Sequence, residues 1–338
     1  MTTPIKLIED IRIFTMVLTY MGIKHLNQYL LKHCSPDSIK KIGLEDLRGK
    51  TIVVDISIYI YKFLTDGSYM EHLYFFLGLF YHYQITPIFI FDGKPPPEKW
   101  DLIKKRRQDK KAAEVEYNDI MKRSNNDNNI DLQDKLDSLK KRMVTLKDAN
   151  LVETKRLIDV FGFSYFEAKG EADELCAYFV LSGIAWACLT DDMDMFLYGC
   201  PRILRNMSMM KKEVVLYSTE AIITDLHIES LYDFTQILVL LGTDYSAVCS
   251  IGIKQALDYY YEYKESIIDT SMNLYYWIEN TYKCIQETVF LGLMDPFISV
   301  LQKAELHIYK DLYMKQTKGS FQIEKIQEMM GPYGFIFI

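Results

Sequence analysis

The chain has 338 residues, 49% of them hydrophobic and 25% charged, so it can bury one large or two modest cores and falls outside the disordered and fibrous classes. Its formal net charge of -7 excludes attachment to nucleic acid through overall charge, while local basic patches and an acidic metal site are both compatible with it. Six scattered cysteines, with no CxxC pair and no histidines at zinc spacing, exclude a disulfide framework and a zinc finger and predict a reducing, intracellular setting.

The first segment, MTTPIKLIEDIRIFTMVLTY, carries Glu9 and Asp10 ahead of its apolar part and lacks the basic start of a signal peptide. No apolar run reaches the length of a membrane span, so no membrane contact is expected. From Met21, MGIKHLNQYLLKH has helical spacing at Leu26, Tyr29 and Leu30. TIVVD reads as a buried strand, Thr51 to Val54, ending in Asp55 and followed by a helical segment. ITPIFIFDGKPPP repeats the arrangement: an apolar strand, a terminal Asp92, then a stop at Gly93 and three prolines. Taken alone, Asp55 reads more readily as a helix cap or a turn former than as a functional acid.

Between Lys99 and Lys147 the composition turns charged, and two helices are predicted around a polar tip, Ser124 to Asn129. Lys99, Lys104, Lys105, Arg106, Arg107, Lys110 and Lys111 give the first of them a basic face. A solvated hairpin and a phosphate-binding hairpin both fit that face.

The rest is organised around Gly170 to Phe196. Two acidic clusters, Glu171, Asp173 and Glu174 in GEADE and Asp191, Asp192 and Asp194 in TDDMD, bracket a short helix and the apolar strand IAWACLT. An acid at a helix start favours the macrodipole, and an acidic turn is often only solvated. Here, however, Asp192 and Asp194 stand where a buried strand leaves the core, and at that end of an open α/β sheet ligands bind. PRILRNM and KKEVVLYS then read as a strand pair, and Leu231 to Tyr263 as helix, loop, helix, with Gly242, Asp244 and Gly252 in the loop. Such a loop can offer backbone N–H groups to a phosphate, or Asp244 is a plain turn residue. Beyond Tyr263 the chain is tyrosine-rich and shows no chemistry. The expected fold is α/β, with a mostly parallel central sheet flanked by helices that gathers Asp55, Asp92, the Glu171 group and the Asp192 group at one rim.

Carboxylates gathered in this way raise one another's pKa values, and divalent cations resolve the repulsion. Oxygen-only ligation favours hard ions, Mg2+ first with Mn2+ as its substitute. Two such ions about 4 Å apart serve in-line displacement at a phosphodiester.

Six motifs in order, MGIKHL, VDISIYIYKF, FDGKPPPEK, GEADE, TDDMD and LLGTDY, resemble the flap endonuclease family of XPG/Rad2-type structure-specific 5′ nucleases. The resemblance implies a PIN-like nuclease core over residues 21–263, with an N-region 21–124, a helical arch 99–147 and an internal region 150–263 that ends in a helix–two-turn–helix at about 235–263. Residues 264–338 are a divergent helical region, and residues 1–20 are an extension: either Met21 is the native start or the extension packs aside.

By the same resemblance Asp55, Asp92, Glu171 and Asp173 serve one Mg2+, and Asp192, Asp194 and Asp244 serve a second. Glu174 and Asp191 are extra acids beside the pattern. Lys99 and Arg106 lie over the scissile phosphate, Lys104 and Arg107 contact DNA, Tyr61 stacks on the base beside the cut, and Gly22 lies near the DNA-binding rim. Gly252 and Lys254 belong to a duplex grip that uses K+ in the family. Ser250 and Ile253 replace the usual glycine and proline there, and Asp173 replaces a glutamate. No glutamine-led motif ending in paired aromatics is seen, so no tether to a sliding clamp is expected, and a monomer is. The implied activity is cleavage of flapped or branched DNA in replication and repair, in the nucleus or wherever DNA is replicated. The rivals are a 5′ to 3′ exonuclease, favoured by Asp173, a ribonuclease acting on RNA primers, and a junction-binding protein without catalysis.

Overall fold

The computed structural model describes residues 23, 25–123, 130–243, 251–266, 272–316 and 319–337. Its strands are β1 (Ile39–Gly43), β2 (Thr51–Asp55), β3 (Thr86–Phe91), β4 (Ser164–Glu167), β5 (Ala187–Leu189), β6 (Arg202–Ser208) and β7 (Glu213–Ser218). The helices are α1 (Leu26–His33), α2 (Ile56–Asp66), α3 (Tyr69–His82), α4 (Trp100–Arg123), α5 (Ile130–Met143), α6 (Asp148–Val160), α7 (Ala172–Leu181), α8 (Thr219–Asp225), α9 (Leu231–Leu240), α10 (Ile253–Ser266), α11 (Leu274–Tyr282), α12 (Glu287–Ile298), α13 (Ala304–Lys315) and α14 (Ile323–Met330). The chain divides into two compact units, one formed by residues up to Asp46 with Asp173–Asp311, the other by Leu47–Ala172 with Leu312–Ile338.

In the second of these units β2, β3 and β4 run parallel, with Val53 beside Ile88 and Ile90 beside Phe166. Consecutive residues of β2 and β3 are buried, as parallel strands covered on both faces require. The helices behind them contribute a ring cluster: Tyr59 stacks on Phe76 at 4.5 Å, Phe76 meets Phe80 edge-on at 5.0 Å, and Phe80 reaches Phe89 at 5.9 Å. Each such ring stabilises the unit by about 2 kcal/mol through burial. The last residues of the chain return here: Gln322 N donates to Val160 O at 2.9 Å, Phe321 stacks on Tyr81 at 4.2 Å, and Phe335 packs on Tyr74 at 5.1 Å. Residues 264–338, one stretch to the sequence analysis, are thus shared between the two units.

In the other unit the strand order is β1-β7-β6-β5, with β5 parallel to β6 and the other two pairings antiparallel. The β6–β7 hairpin is the predicted strand pair, with an irregularity between Arg205 and Ser208 where Asn206 takes a positive φ of 52°. Across the described strands the parallel pairings β2–β3, β3–β4 and β5–β6 outnumber the antiparallel ones, in keeping with a mostly parallel α/β fold. Strands β1 and β4 had no counterpart in the sequence analysis; IKKIG and SYFE are too short and too polar to carry a strand pattern. The Asp225 carboxylate anchors the turn before β1, accepting from Ser38 Oγ and from Ser35 N at 2.6 Å each.

Two outcomes follow from this packing. Gly162 has φ +77°, and a Cβ there would lie 2.7 Å from the Gly319 carbonyl oxygen. Gly162→Ala is therefore expected to cost roughly 2–3 kcal/mol, read as a lower urea midpoint at unchanged slope. The hydrogen bonds from Ser38 and Ser35 hold the Asp225 carboxyl below its ordinary value of 3.8. Its contribution is complete above that pH and is lost as pH falls toward the lowered native value. Asp225→Asn should lower the thermal midpoint at pH 7, and the gap from the natural protein should close on acidification toward pH 2.

Candidate metal centre and nucleic-acid interface

In the unit containing β2 and β3, two carboxylates leave the sheet at the same end of neighbouring parallel strands. Asp55 closes β2, is buried, and caps α2 by accepting from Ser57 N at 3.1 Å. Asp92 follows β3, and its Oδ1 accepts from Ala172 N at 2.9 Å, fixing the start of α7. The FDGK segment runs directly against KGE: Gly93 N donates to Gly170 O at 2.7 Å and Lys94 N to Lys169 O at 3.2 Å. Only glycine permits this approach, since a Cβ at Gly93 would stand 2.0 Å from Ala168 O. Glu171 is thereby brought into the neighbourhood of Asp92, and its Oε1 lies 2.8 Å from Lys99 Nζ, itself buried. Tyr61 is about half exposed on α2. Its hydroxyl is pushed up by burial and by the Asp92 carboxylate, while the Arg106 guanidinium opposes the shift, so Tyr61, Asp92 and Arg106 share one neighbourhood.

In the other unit the acids sit in the turn after β5. Asp192 N donates to Thr190 Oγ1 at 3.1 Å, and Asp194 N donates to Asp192 Oδ1 at 2.9 Å. These residues are 8% and 3% exposed. Asp173 opens α7 with Glu174, where the helix N-terminus favours negative charge. Asp173 lies near Cys200, whose thiol is pushed well up by burial and then by Cys188 and Asp173; it stays a neutral filler.

Two cations that the sequence analysis had not singled out hold this acidic ground. Arg205, 7% exposed on β6, donates from Nη2 to Asp191 O at 2.6 Å and from Nη1 to Asn27 Oδ1 at 2.9 Å, and Tyr217 Oη donates to the same Asn27 oxygen at 2.7 Å. Asn206 N donates to Asp191 Oδ1 at 2.7 Å, so Asp191 is a strut of the turn. Lys303 pairs with Glu174, steadying the first turn of α7. The one trace of these roles in the sequence is a charged residue inside an apolar strand, PRILRNM; nothing local marks Asn27 or Lys303.

Among the described residues no three His, Cys, Asp or Glu side chains are gathered tightly enough to hold a metal ion. The donor chemistry nevertheless fits one class of ion. Asp55, Asp92, Glu171, Asp173, Asp192 and Asp194 present oxygen alone, which suits hard divalent cations. Each carboxylate that accepts one amide hydrogen bond retains lone pairs for a second partner. Asp244 and Gly22 lie outside the described residues. Gly252 and Lys254 are exposed at the start of α10, and Ile251 N donates to Leu240 O at 2.8 Å, tying that start to α9.

The arch expected from residues 99–147 consists of α4 and α5, joined by Glu116–Lys135 at 2.8 Å and by Lys110 Nζ donating to Val144 O at 2.8 Å. Chain direction breaks after Met143, and Asp148–Val160 forms the separate helix α6. Lys104, Arg106 and Arg107 are exposed on α4.

Arg205→Met would leave the buried Asp191 carbonyl without its donor, while Asn27 Oδ1 keeps the Tyr217 hydroxyl, at a cost of about 2 kcal/mol. Calorimetry in EDTA should read this loss as a lower thermal midpoint at pH 7.

The pattern of the XPG N-terminal domain matches residues 21–113, and that of the XPG I-region matches residues 162–244. Flap endonuclease 1 of Methanococcus aeolicus is 34% identical over 241 residues, covering 65% of this chain and 72% of the relative. The catalytic core of Rad2, solved in complex with DNA substrate, superposes with a TM-score of 0.61 at 19% identity, covering 90% of this chain and 94% of that one. The Holliday junction-resolving enzyme GEN1, solved with product DNA and Mg2+, gives 0.57 at 18%, covering 87% and 70%. The two structural likenesses are likenesses of fold, and the one-third identity with a curated relative carries the assignment: the chain belongs to the flap endonuclease family of XPG/Rad2-type nucleases.

Proposed function

We propose that this chain is a structure-specific 5′ nuclease that cuts branched DNA at the base of a 5′ flap by two-metal hydrolysis and leaves a 5′-phosphate. The observation that supports it best is the placement of carboxylates where buried strands end, Asp55 and Asp92 after β2 and β3, Asp192 and Asp194 after β5. In this reading Asp55, Asp92, Glu171 and Asp173 serve one Mg2+ or Mn2+, and Asp192, Asp194 and Asp244 the other. The bound ions would supply an activated water and a counter-charge for the leaving oxygen. A divalent requirement accords with GEN1 having been solved with product DNA and Mg2+.

The chain's own groups do the rest. Lys99, turned from Glu171 toward a phosphate, and Arg106 stabilise charge on the phosphate as its bond breaks. Tyr61, half exposed beside Asp92, stacks on the base next to the cut. Lys104 and Arg107 neutralise backbone phosphates along α4. Gly252 and Lys254, with Gly22 and a K+ ion, grip the duplex. The protein acts as a monomer, without a clamp tether, in replication and repair and at the sites where DNA is replicated, the nucleus included. Asp173 in place of glutamate favours a second reading, a 5′ to 3′ exonuclease of the same superfamily.

The test is cleavage of a 5′-labelled double-flap DNA in Mg2+, beside the same duplex without a flap. One cut at the flap base is expected, lost in EDTA and reduced at least a thousandfold by Asp192→Ala, with Lys99→Ala lowering kcat about a hundredfold or more. Stepwise release of mononucleotides from the unflapped duplex would replace the endonuclease with the exonuclease. Binding without cleavage in Mg2+ or Mn2+ would sink the catalytic reading.

A further inference from the structure

Trp100 begins α4 directly after the short 3-10 turn Pro97–Lys99, and its side chain is 63% exposed. The other two tryptophans are half-buried: Trp186 carries the Arg202 guanidinium 5.0 Å above its ring, and Trp277 packs on Tyr263 and Tyr282. At about 100° per residue, positions 100, 104, 107 and 111 fall within roughly 60° of one another on a helix, a stripe about 16 Å long. Those positions are Trp100, Lys104, Arg107 and Lys111, and the three cations are exposed. Glu114 ends the stripe. Lys99 and Lys110 lie about a quarter-turn round and are turned to other work, Lys99 beside Glu171 and Lys110 on the Val144 carbonyl. The Trp100 stripe is thus separate from the contacts that hold the arch together.

We propose that Trp100, with Lys104, Arg107 and Lys111 on the same face of α4, is a stacking platform for an unpaired base of the single-stranded 5′ arm. The proposal rests on the nuclease reading above and adds a residue to it. Single strands are held by a combination of an aromatic face for a base and a track of cations for the phosphates, because every base has a π-face and the backbone charge is uniform. A duplex offers no splayed base to an indole, so the platform selects the unpaired arm.

The test uses the full chain in EDTA, titrated with a single-stranded oligothymidylate and followed by tryptophan fluorescence. Saturable quenching is expected. Trp100→Ala should abolish it and weaken single-strand affinity about tenfold, with blunt-duplex affinity and thermal midpoint unchanged, while Trp100→Phe retains most of the affinity. An abasic strand of the same length should bind the natural protein as weakly as the oligothymidylate binds Trp100→Ala. Quenching that persists in Trp100→Ala, or abasic and thymidylate strands bound equally well by the natural protein, would overturn the platform. Cleavage of double-flap DNA without quenching sinks the platform alone. Quenching and the tenfold loss in a protein that cuts no branched DNA would sink the nuclease reading and leave the platform standing.

Discussion

Buried carboxylates crowded at strand ends are the constraint on which the rest depends. Asp192 and Asp194 are separated by one residue in a turn almost closed to water, where neither neighbour can be screened by solvent. The fold meets this with local donors and one buried guanidinium. Thr190 and Asp192 accept from the turn's own amides, Asn206 N and Arg205 clasp Asp191, and Asn27 orients Arg205 from α1. The irregularity in β6, with Asn206 at positive φ, is what turns that residue's amide onto Asp191.

The unit containing β2 and β3 handles its acids differently. Asp55 caps α2 through Ser57 N, Asp92 accepts from Ala172 N at the start of the distant helix α7, and Glu171 is matched by Lys99. The backbone contact between DGK and KGE, possible only because position 93 lacks a Cβ, puts the strand end and the helix start side by side. Lys99 Nζ lies 2.8 Å from Glu171 Oε1; in the proposed mechanism that contact gives way to a substrate phosphate.

The arch adds a second surface of a different kind. Its helices are joined by the exposed Glu116–Lys135 pair, by Lys110 Nζ donating to Val144 O and Thr145 Oγ1, and by the burial of Ala113, Leu136 and Leu139, of which the exposed ion pair is worth little by itself. Lys104, Arg107 and Lys111, which take no part in that attachment, are exposed on the Trp100 face. A net charge of -7 therefore coexists with a local basic stripe, Lys104, Arg107 and Lys111, exposed on one helix.

The sequence by itself determined the apolar strands that end in Asp55, Asp92 and the Asp192 turn, the two arch helices, the β6–β7 pair, and the order of six motifs that points to the family. These are local properties: burial of a strand, the stop at Gly93 and the prolines, and the helical period are written in adjacent residues. Tertiary structure alone decided which distant groups steady them. Lys303 meets Glu174 across 129 positions, and Arg205 meets Asn27 across 178, with no periodicity to announce either. It also drew in β1 and β4, short polar segments that become strands only because β7 and β3 offer them open edges. The tail was divided for the same reason, its last aromatics packing on Tyr74, Tyr81 and Phe161 of another stretch of chain. Pairing energy belongs to both partners, and a sequence shows only one of them at a time.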